Sequence, residues 1–276
     1  MSDLPMGNLP PARRPKRRLD SLLTERGLYP SRSRAAAAVI AGDVHLGAGR
    51  LRAQKPGQLV RDDVEIDVVQ PPPYVSRGGI KLANALDALG VRVAGRRALD
   101  VGASTGGFTD CLLQRGAAHV IALDVAYGEL AMSLRTDERV TVVERVNARA
   151  VDPARLPYAP DLVVADVSFI SLTKVLPAVL ACCAPRFDAL VMVKPQFEVG
   201  RERIGKGGVV TDPGLRREAI VAVGRAAEAE GAAVLGLASS GLPGPAGNRE
   251  TFAWLAEGGR EGALEDLEAA ALEVEP

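Results

Sequence analysis

Three cysteines, Cys111, Cys182 and Cys183, are all that the 276 residues contain, and two of them are sequence neighbours. That spacing gives neither a disulfide framework nor a zinc pattern, so we expect a reducing compartment and no metal. No stretch approaches the ~18 apolar residues that cross a bilayer, and the polar first residues lack the apolar core of a signal peptide. The expectation is a soluble, cytoplasmic protein with no membrane partner. A Walker loop with its Lys and Ser/Thr is missing, which argues against nucleoside triphosphates. Net charge is missing too, since 34 Lys and Arg balance 34 Asp and Glu. Apolar residues are plentiful at 47%, enough for real cores and incompatible with wholesale disorder.

The zero net charge hides an asymmetry. Residues 1–81 hold 14 Lys and Arg against 8 Asp and Glu, a net +6, whereas residues 82–276 hold 20 against 26, a net −6. A basic front on a mildly acidic body fits a polyanion-binding module joined to something else, or an ordinary solvated surface. Residues 1–15 read as a flexible tail. A short amphipathic helix begins near Arg18 and stops at Gly27, and Ser31 caps a second helix over Arg32–Ala41 that stops at Gly42. Short strands follow at 44–46, 58–60 and 64–68, which makes residues 16–70 a small α+β module. Three prolines at 71–73 end it, and residues 71–80 read as a linker. Lys81 opens a helix that runs to Leu89, where the helix dipole disfavours a cation, so Lys81 enters the set of candidate functional residues.

From Arg97 strands and helices alternate. We expect strands at 97–101, 119–124, 140–144, 161–165, 188–193 and 232–238, with helices at 108–114, 171–182 and 213–230. Near-continuous apolar strands such as Leu162–Ala165 predict a mostly parallel, doubly wound α/β sheet covered on both faces, with ligands at the carboxyl ends of its strands. This domain spans 81–256, and residues 257–276 read as a flexible acidic tail.

The stretch Ala98–Gly107 is a strand ending in an acid, then a glycine-rich turn, then a helix. Glycines there let a backbone approach a ligand and leave helix amides free to bind it. Asp124 ends the next strand, 24 residues after Asp100, near the separation at which a carboxylate meets nucleoside ribose hydroxyls. A strand-end acid alone is as often a helix cap. The cofactor candidates are Asp100, Gly102, Ser104, Thr105, Gly106, Gly107, Phe108 and Asp124. Ser104 stands where a pyrophosphate-binding turn carries its second glycine, which disfavours NAD and FAD and suits S-adenosylmethionine.

Three more polar clusters, Asp166–Ser171, Lys194–Glu198 and Gly247–Glu250, are each read as following an apolar run and so lying at the same sheet edge. Lys194 beside Asp166, with Lys81 and Glu250 brought in by the fold, is a candidate base. The segment Gly200–Val210, with Arg201, Arg203 and Lys206, reads either as a flap over RNA or as an inert loop.

Two resemblances follow from these residues. R-L-D-x-x-L at Arg18, S-R-S-R-A-A-A-x-V-I-A-G-D-V-H-L at Ser31 and D-D-V-E-I-D-V at Asp62 resemble the S-four-type RNA-binding domain. The resemblance implies RNA contacts by Lys16, Arg17, Arg18, Arg32, Arg34, Arg50, Arg52 and Lys55, with Arg77 beyond the prolines; such phosphate contacts position rather than specify. S-R-G-G-I-K-L, D-V-G-A-S-T-G-G-F-T-D, D-L-V-V-A-D-V-S-F-I-S-L, V-K-P-Q-F-E-V-G and L-P-G-P-A-G-N-R-E resemble the TlyA family, with its FtsJ-like catalytic domain. That resemblance implies a Rossmann-like class I methyltransferase fold, S-adenosylmethionine, and 2'-O-methylation of cytidines in ribosomal RNA of both subunits. It also implies a catalytic Lys81–Asp166–Lys194–Glu250 tetrad; no stable protein partner is expected from the sequence. The competing classes are an inactive RNA-binding assembly factor, a cytolysin, a label attached to the family, and a nicotinamide dehydrogenase.

Overall fold

The computed structural model describes residues 16–69 and 72–275; the tail expected over 1–15 lies outside them. The chain divides into two compact units, one ending at Pro71 and the other beginning at Pro72.

In the first unit β1 (Lys16–Arg18) leads into α1 (Leu19–Glu25), and α2 (Arg32–Ala41) follows. Leu19, Leu22 and Leu23 recur at helical spacing and are buried against Ala35, Ala38 and Val39 of α2. Ser31 Oγ accepts from Arg34 N, and Gly42 ends α2 at φ 94°, where a side chain would be strained. The strands β2 (Val44–Leu46), β3 (Leu51–Arg52), β4 (Leu59–Arg61) and β5 (Ile66–Val68) complete the unit. They pair antiparallel as β1–β4 and as β3–β2–β5. Arg18, expected to open the helix, belongs instead to β1, because Lys16–Arg18 pairs with Leu59–Arg61.

The second unit opens with α3 (Arg77–Leu89), β6 (Arg97–Val101), α4 (Gly107–Gln114), β7 (His119–Leu123), α5 (Met132–Arg135), β8 (Val140–Val143) and β9 (Leu162–Ala165). It continues with α6 (Leu176–Leu180), β10 (Asp188–Val193), α7 (Pro195–Glu198), α8 (Pro213–Ala229), β11 (Ala232–Ser239), β12 (Thr251–Glu257) and α9 (Leu267–Val274). The sheet order is β8–β7–β6–β9–β10–β12–β11. All neighbours are parallel except those of β12, which runs antiparallel to both β10 and β11. Alternate strand residues serve opposite faces. Ala98, Val120, Val164 and Met192 pack with Leu82, Leu86 and Leu112 of α3 and α4. Leu99, Ile121, Val163 and Val191 pack with Ile220, Val223, Leu267 and Ala271 of α8 and α9. The order, the direction and the two covered faces make this a Rossmann-like α/β sheet.

Four expectations need correction. Arg77–Leu89 is helical with Ser76 before it, so residues 77–80 are not linker and Lys81 sits one turn inside α3. The helix expected at 171–182 is a 3-10 turn, Leu172–Lys174, followed by the short α6, because Pro177 lacks the N–H that a continuous helix needs. Thr251–Glu257, read only as chain after the Gly247–Glu250 cluster, is a strand within the sheet. The tail from residue 257 is not flexible: α9 buries Leu267 and Ala271 against α8, and Glu275 is 3% exposed.

Candidate active site

Gly102, after β6, has φ 86°, and a Cβ there would lie 2.3 Å from the Asp166 carbonyl oxygen. At Gly107 a Cβ would lie 2.1 Å from Ser76 Oγ. These two glycines therefore let β9 and α3 close on the turn. Ser104 takes the positive φ of 47° that a glycine would adopt freely. It is held there by both its polar groups: its N–H donates to Asp124 Oδ2 at 2.7 Å and its Oγ to Glu129 Oε2 at 3.2 Å. Thr105 lines the same cleft, Gly106 precedes α4 at φ 98°, and Phe108 is a core side chain stacked near Phe252 at 5.8 Å.

Asp124 Oδ1 also accepts from Ala126 N at 2.8 Å, so this carboxylate both closes its own loop and fixes the glycine turn. Each carboxylate oxygen keeps a lone pair for a further donor. Beside it Glu129, Leu123, Val125, Val146 and Ala148 line a groove that combines two carboxylates with apolar walls, which fits ribose hydroxyls and a flat base. Glu129 escaped the sequence reading because it lies in an irregular loop without a motif. Asp100 points the other way, into the core under α4. It is fully buried, Thr109 Oγ1 donates to its Oδ2 at 2.7 Å, and its Oδ1 has no partner among the described residues. Burial first, then the negative charge of Asp166, pushes its carboxyl up to about 7.

The four tetrad positions meet at one cleft beside the turn, together with Arg77 and Gly78. Lys81 Nζ pairs with Glu250 Oε2, both buried, and Lys194 Nζ pairs with Asp166 Oδ1 and donates to Ser168 Oγ at 3.0 Å. Sheet register explains the meeting. Asp166 N donates to Val101 O, which sets Asp166 against Gly102, and Val193 lies opposite Thr251, which sets Lys194 beside Glu250. Glu250 precedes an apolar strand rather than following one. It reaches the ligand edge because β12 is antiparallel, so the start of β12 lies where its neighbours end. Gly244 leaves room for it, since a Cβ there would lie 2.6 Å from Glu250 Oε1.

The groove continues past Phe169, which is 92% exposed at φ 64° and 5.4 Å from the Phe197 ring, and past Lys174 and Arg201. A bulky residue held at positive φ with its ring in solvent is strained, as residues at ligand clamps and active sites often are. Glu198 ties α7, which carries Phe197, to the segment after Phe169, accepting from Ser171 Oγ at 2.5 Å and Leu172 N at 2.9 Å. In the segment 200–210, Arg203 pairs with Glu218, and the Lys206 side chain lies outside the described residues. Of the cations in the first unit, Lys16, Arg34 and Lys55 are exposed. Arg17 pairs with Glu25, Arg50 with Asp67, and Arg52 donates to Ile40 O and Ala41 O at the end of α2. Arg18 and Arg32 converge on Asp20, whose carboxyl is lowered to about 2 chiefly by the Arg18 hydrogen bond. Arg77 belongs to the second unit and lines its cleft.

The profile of the FtsJ-like methyltransferases matches residues 74–257. The chain is 52% identical over 240 residues to the 16S/23S rRNA (cytidine-2'-O)-methyltransferase TlyA of Mycobacterium tuberculosis, covering 86% of this chain and 89% of the relative. It is 33% identical over 195 residues to the 23S rRNA (cytidine-2'-O)-methyltransferase TlyA of Campylobacter jejuni, covering 70% and 75%. A solved Streptococcus thermophilus structure with a provisional hemolysin name matches with a TM-score of 0.70 at 36% identity, covering 94% of this chain and 96% of that one. Among the described residues no helix is long and apolar enough to cross a membrane. With its FtsJ-like catalytic unit and its likeness to curated relatives over most of their length, the chain belongs to the TlyA family of methyltransferases.

Proposed function

We propose that this protein is a ribosomal RNA 2'-O-methyltransferase in which Lys81, Asp166, Lys194 and Glu250 carry the chemistry. The observation that supports the catalytic assignment most strongly is the pairing of Lys81 with Glu250 and of Lys194 with Asp166 in one cleft beside the glycine turn. S-adenosylmethionine, when bound, supplies a methyl group already activated by a sulfonium charge. Ser104, Thr105, Asp124 and Glu129 would hold it, with Val125, Val146 and Ala148 against its base. The chain's own task is then positioning and proton transfer. As its oxygen gains the methyl group, the ribose 2'-hydroxyl passes its proton to Lys194 Nζ in the amine form, and Asp166 stabilises the ammonium that results. Ser168 orients Lys194, and the Lys81–Glu250 pair supports the cleft from α3.

The nucleotide carried over from the relatives' names is cytidine in 16S and 23S ribosomal RNA; in this reading the enzyme meets it on ribosomal subunits in the cytoplasm. The first unit, with Lys16, Arg34 and Lys55, is the RNA-anchoring module in this reading. The test is mass-spectrometric mapping of ribosomal RNA from cells with and without the gene. A 2'-O-methyl mark should vanish with the gene, return with the wild type and stay absent with Lys194→Ala. Lys194→Ala should lower the methylation rate about 100- to 10,000-fold while S-adenosylhomocysteine binding persists. Unchanged marks would refute the function, and a fully active Lys194→Ala would refute the assignment of Lys194.

A further inference from the structure

Arg249 and Glu250 are neighbours that face opposite sides of the sheet. Glu250 shares the parity of Phe252, which packs on the α3 side, whereas Arg249 shares that of Ala253, which packs on the α8 and α9 side. On that second side Arg249 Nη1 lies 3.3 Å from Glu275 Oε1, and the same oxygen accepts from Arg216 Nη2 at 2.6 Å. Arg216 and Glu275 are 7% and 3% exposed, and Arg216 Nε has no partner among the described residues. Two buried charges with an unsatisfied donor are a poor device for stability, because desolvation offsets their attraction. They do join three separate pieces of chain. Arg216 Nη1 donates to Val210 O at 3.2 Å and Thr211 O at 2.7 Å, and Arg217 Nη1 donates to Glu275 O at 3.1 Å. Asn248, 2% exposed, accepts from Val210 N at 2.9 Å and donates to Gly208 O at 2.8 Å.

We infer that Glu275 is a positioning residue for methyl transfer: through Arg249 and Arg216 it fixes the loop that carries Glu250 and the neighbouring segment 208–211. The inference rests on Glu250 being part of the catalytic cleft. Glu275 touches neither the cleft nor a ligand. It sets where the backbone at 249–250 enters β12, and thereby where the Glu250 carboxylate meets Lys81. The segment 208–211 is on this account a pinned brace rather than a swinging flap.

The test is a mutant cycle on the full-length enzyme with ribosomal RNA as substrate. Glu275→Gln and Arg249→Met should each lower kcat about 10- to 100-fold, leaving the KM for RNA and the affinity for S-adenosylhomocysteine unchanged. Arg249→Lys should recover most of the rate. Because Glu275 acts through Glu250, Glu275→Gln should add little to the loss caused by Glu250→Gln. Should Glu275→Gln not fold, the Arg249→Met and Glu250→Gln cycle reads the same coupling, as the Arg249 side chain is 67% exposed. Losses that multiply, a raised KM for RNA in Arg249→Met, or no recovery with lysine would overturn the inference while leaving Glu250 catalytic. A Glu250→Gln enzyme with full kcat would instead remove the catalytic reading of Glu250, and the inference with it.

Discussion

Lys81 and Glu250, 169 positions apart, form a buried ion pair that joins α3 to the start of β12. Removing one partner strands the other charge away from water. Lys81→Met should therefore lower stability by about 3–5 kcal/mol, and Lys81→Met with Glu250→Met by clearly less. Urea unfolding of the two variants checks this; a double variant no more stable than the single one would show that the pair is not buried in solution.

Ser104 holds a glycine-like φ for the sake of its contacts to Asp124 and Glu129. Ser104→Gly should relieve about 1 kcal/mol of backbone strain yet lose the Oγ contact that orients Glu129. The expected result is an unchanged or slightly higher melting temperature together with weaker S-adenosylhomocysteine binding by calorimetry. Binding at wild-type strength would mean that Glu129 does not hold the cofactor.

Asp100 gives a pH signature. Its carboxyl titrates at about 7 in the folded protein, chiefly through burial, against an ordinary 3.8. Between those values the folded state holds a proton that the unfolded chain has released, so the contribution of Asp100 to stability is complete below about 4 and declines as pH rises towards 7. Asp100→Asn keeps an acceptor for Thr109 and cannot ionise. Its unfolding free energy, measured by denaturant titration from pH 4 to 8, should fall less with pH than that of the wild type. Parallel curves would place the proton elsewhere.

Arg34 and Lys55 offer the cleanest test of the first unit, because they are exposed and hold no ion pair among the described residues. Arg34→Glu with Lys55→Glu should weaken ribosomal RNA binding and flatten its salt dependence by roughly one unit of slope per lost phosphate contact. Cofactor affinity should not change. Arg18 and Arg32 are poorer probes, since Asp20 engages both. An unaltered salt slope would exclude the surface around Arg34 and Lys55 from RNA binding.

Much of the catalytic unit was readable because its information is local. Apolar runs of four or five residues, each ending at a polar signal, mark β7, β9 and β10, and parallel strands buried on both faces have few other ways to appear, while β6 is marked by the glycine turn that follows it. The glycine turn and Asp124 were visible for the same reason. What local pattern hid was direction and docking. β12 carries an apolar sequence like that of the other strands, and nothing within it states that it runs antiparallel. Residues Leu267–Val274 look like a loose acidic helix until α8 is present to bury Leu267 and Ala271.

By itself, then, the sequence determined the residue types of the site and the strands that end in them: Asp166 after β9, Lys194 after β10, and the turn after β6. Tertiary structure alone decided which lysine meets which carboxylate, that Asp100 faces the core rather than the groove, and that Glu275 lies behind Glu250. The reason is physical: strand alternation and turn chemistry act over a few residues, whereas pairing across 169 positions depends on sheet register and strand direction, which only the packed core sets.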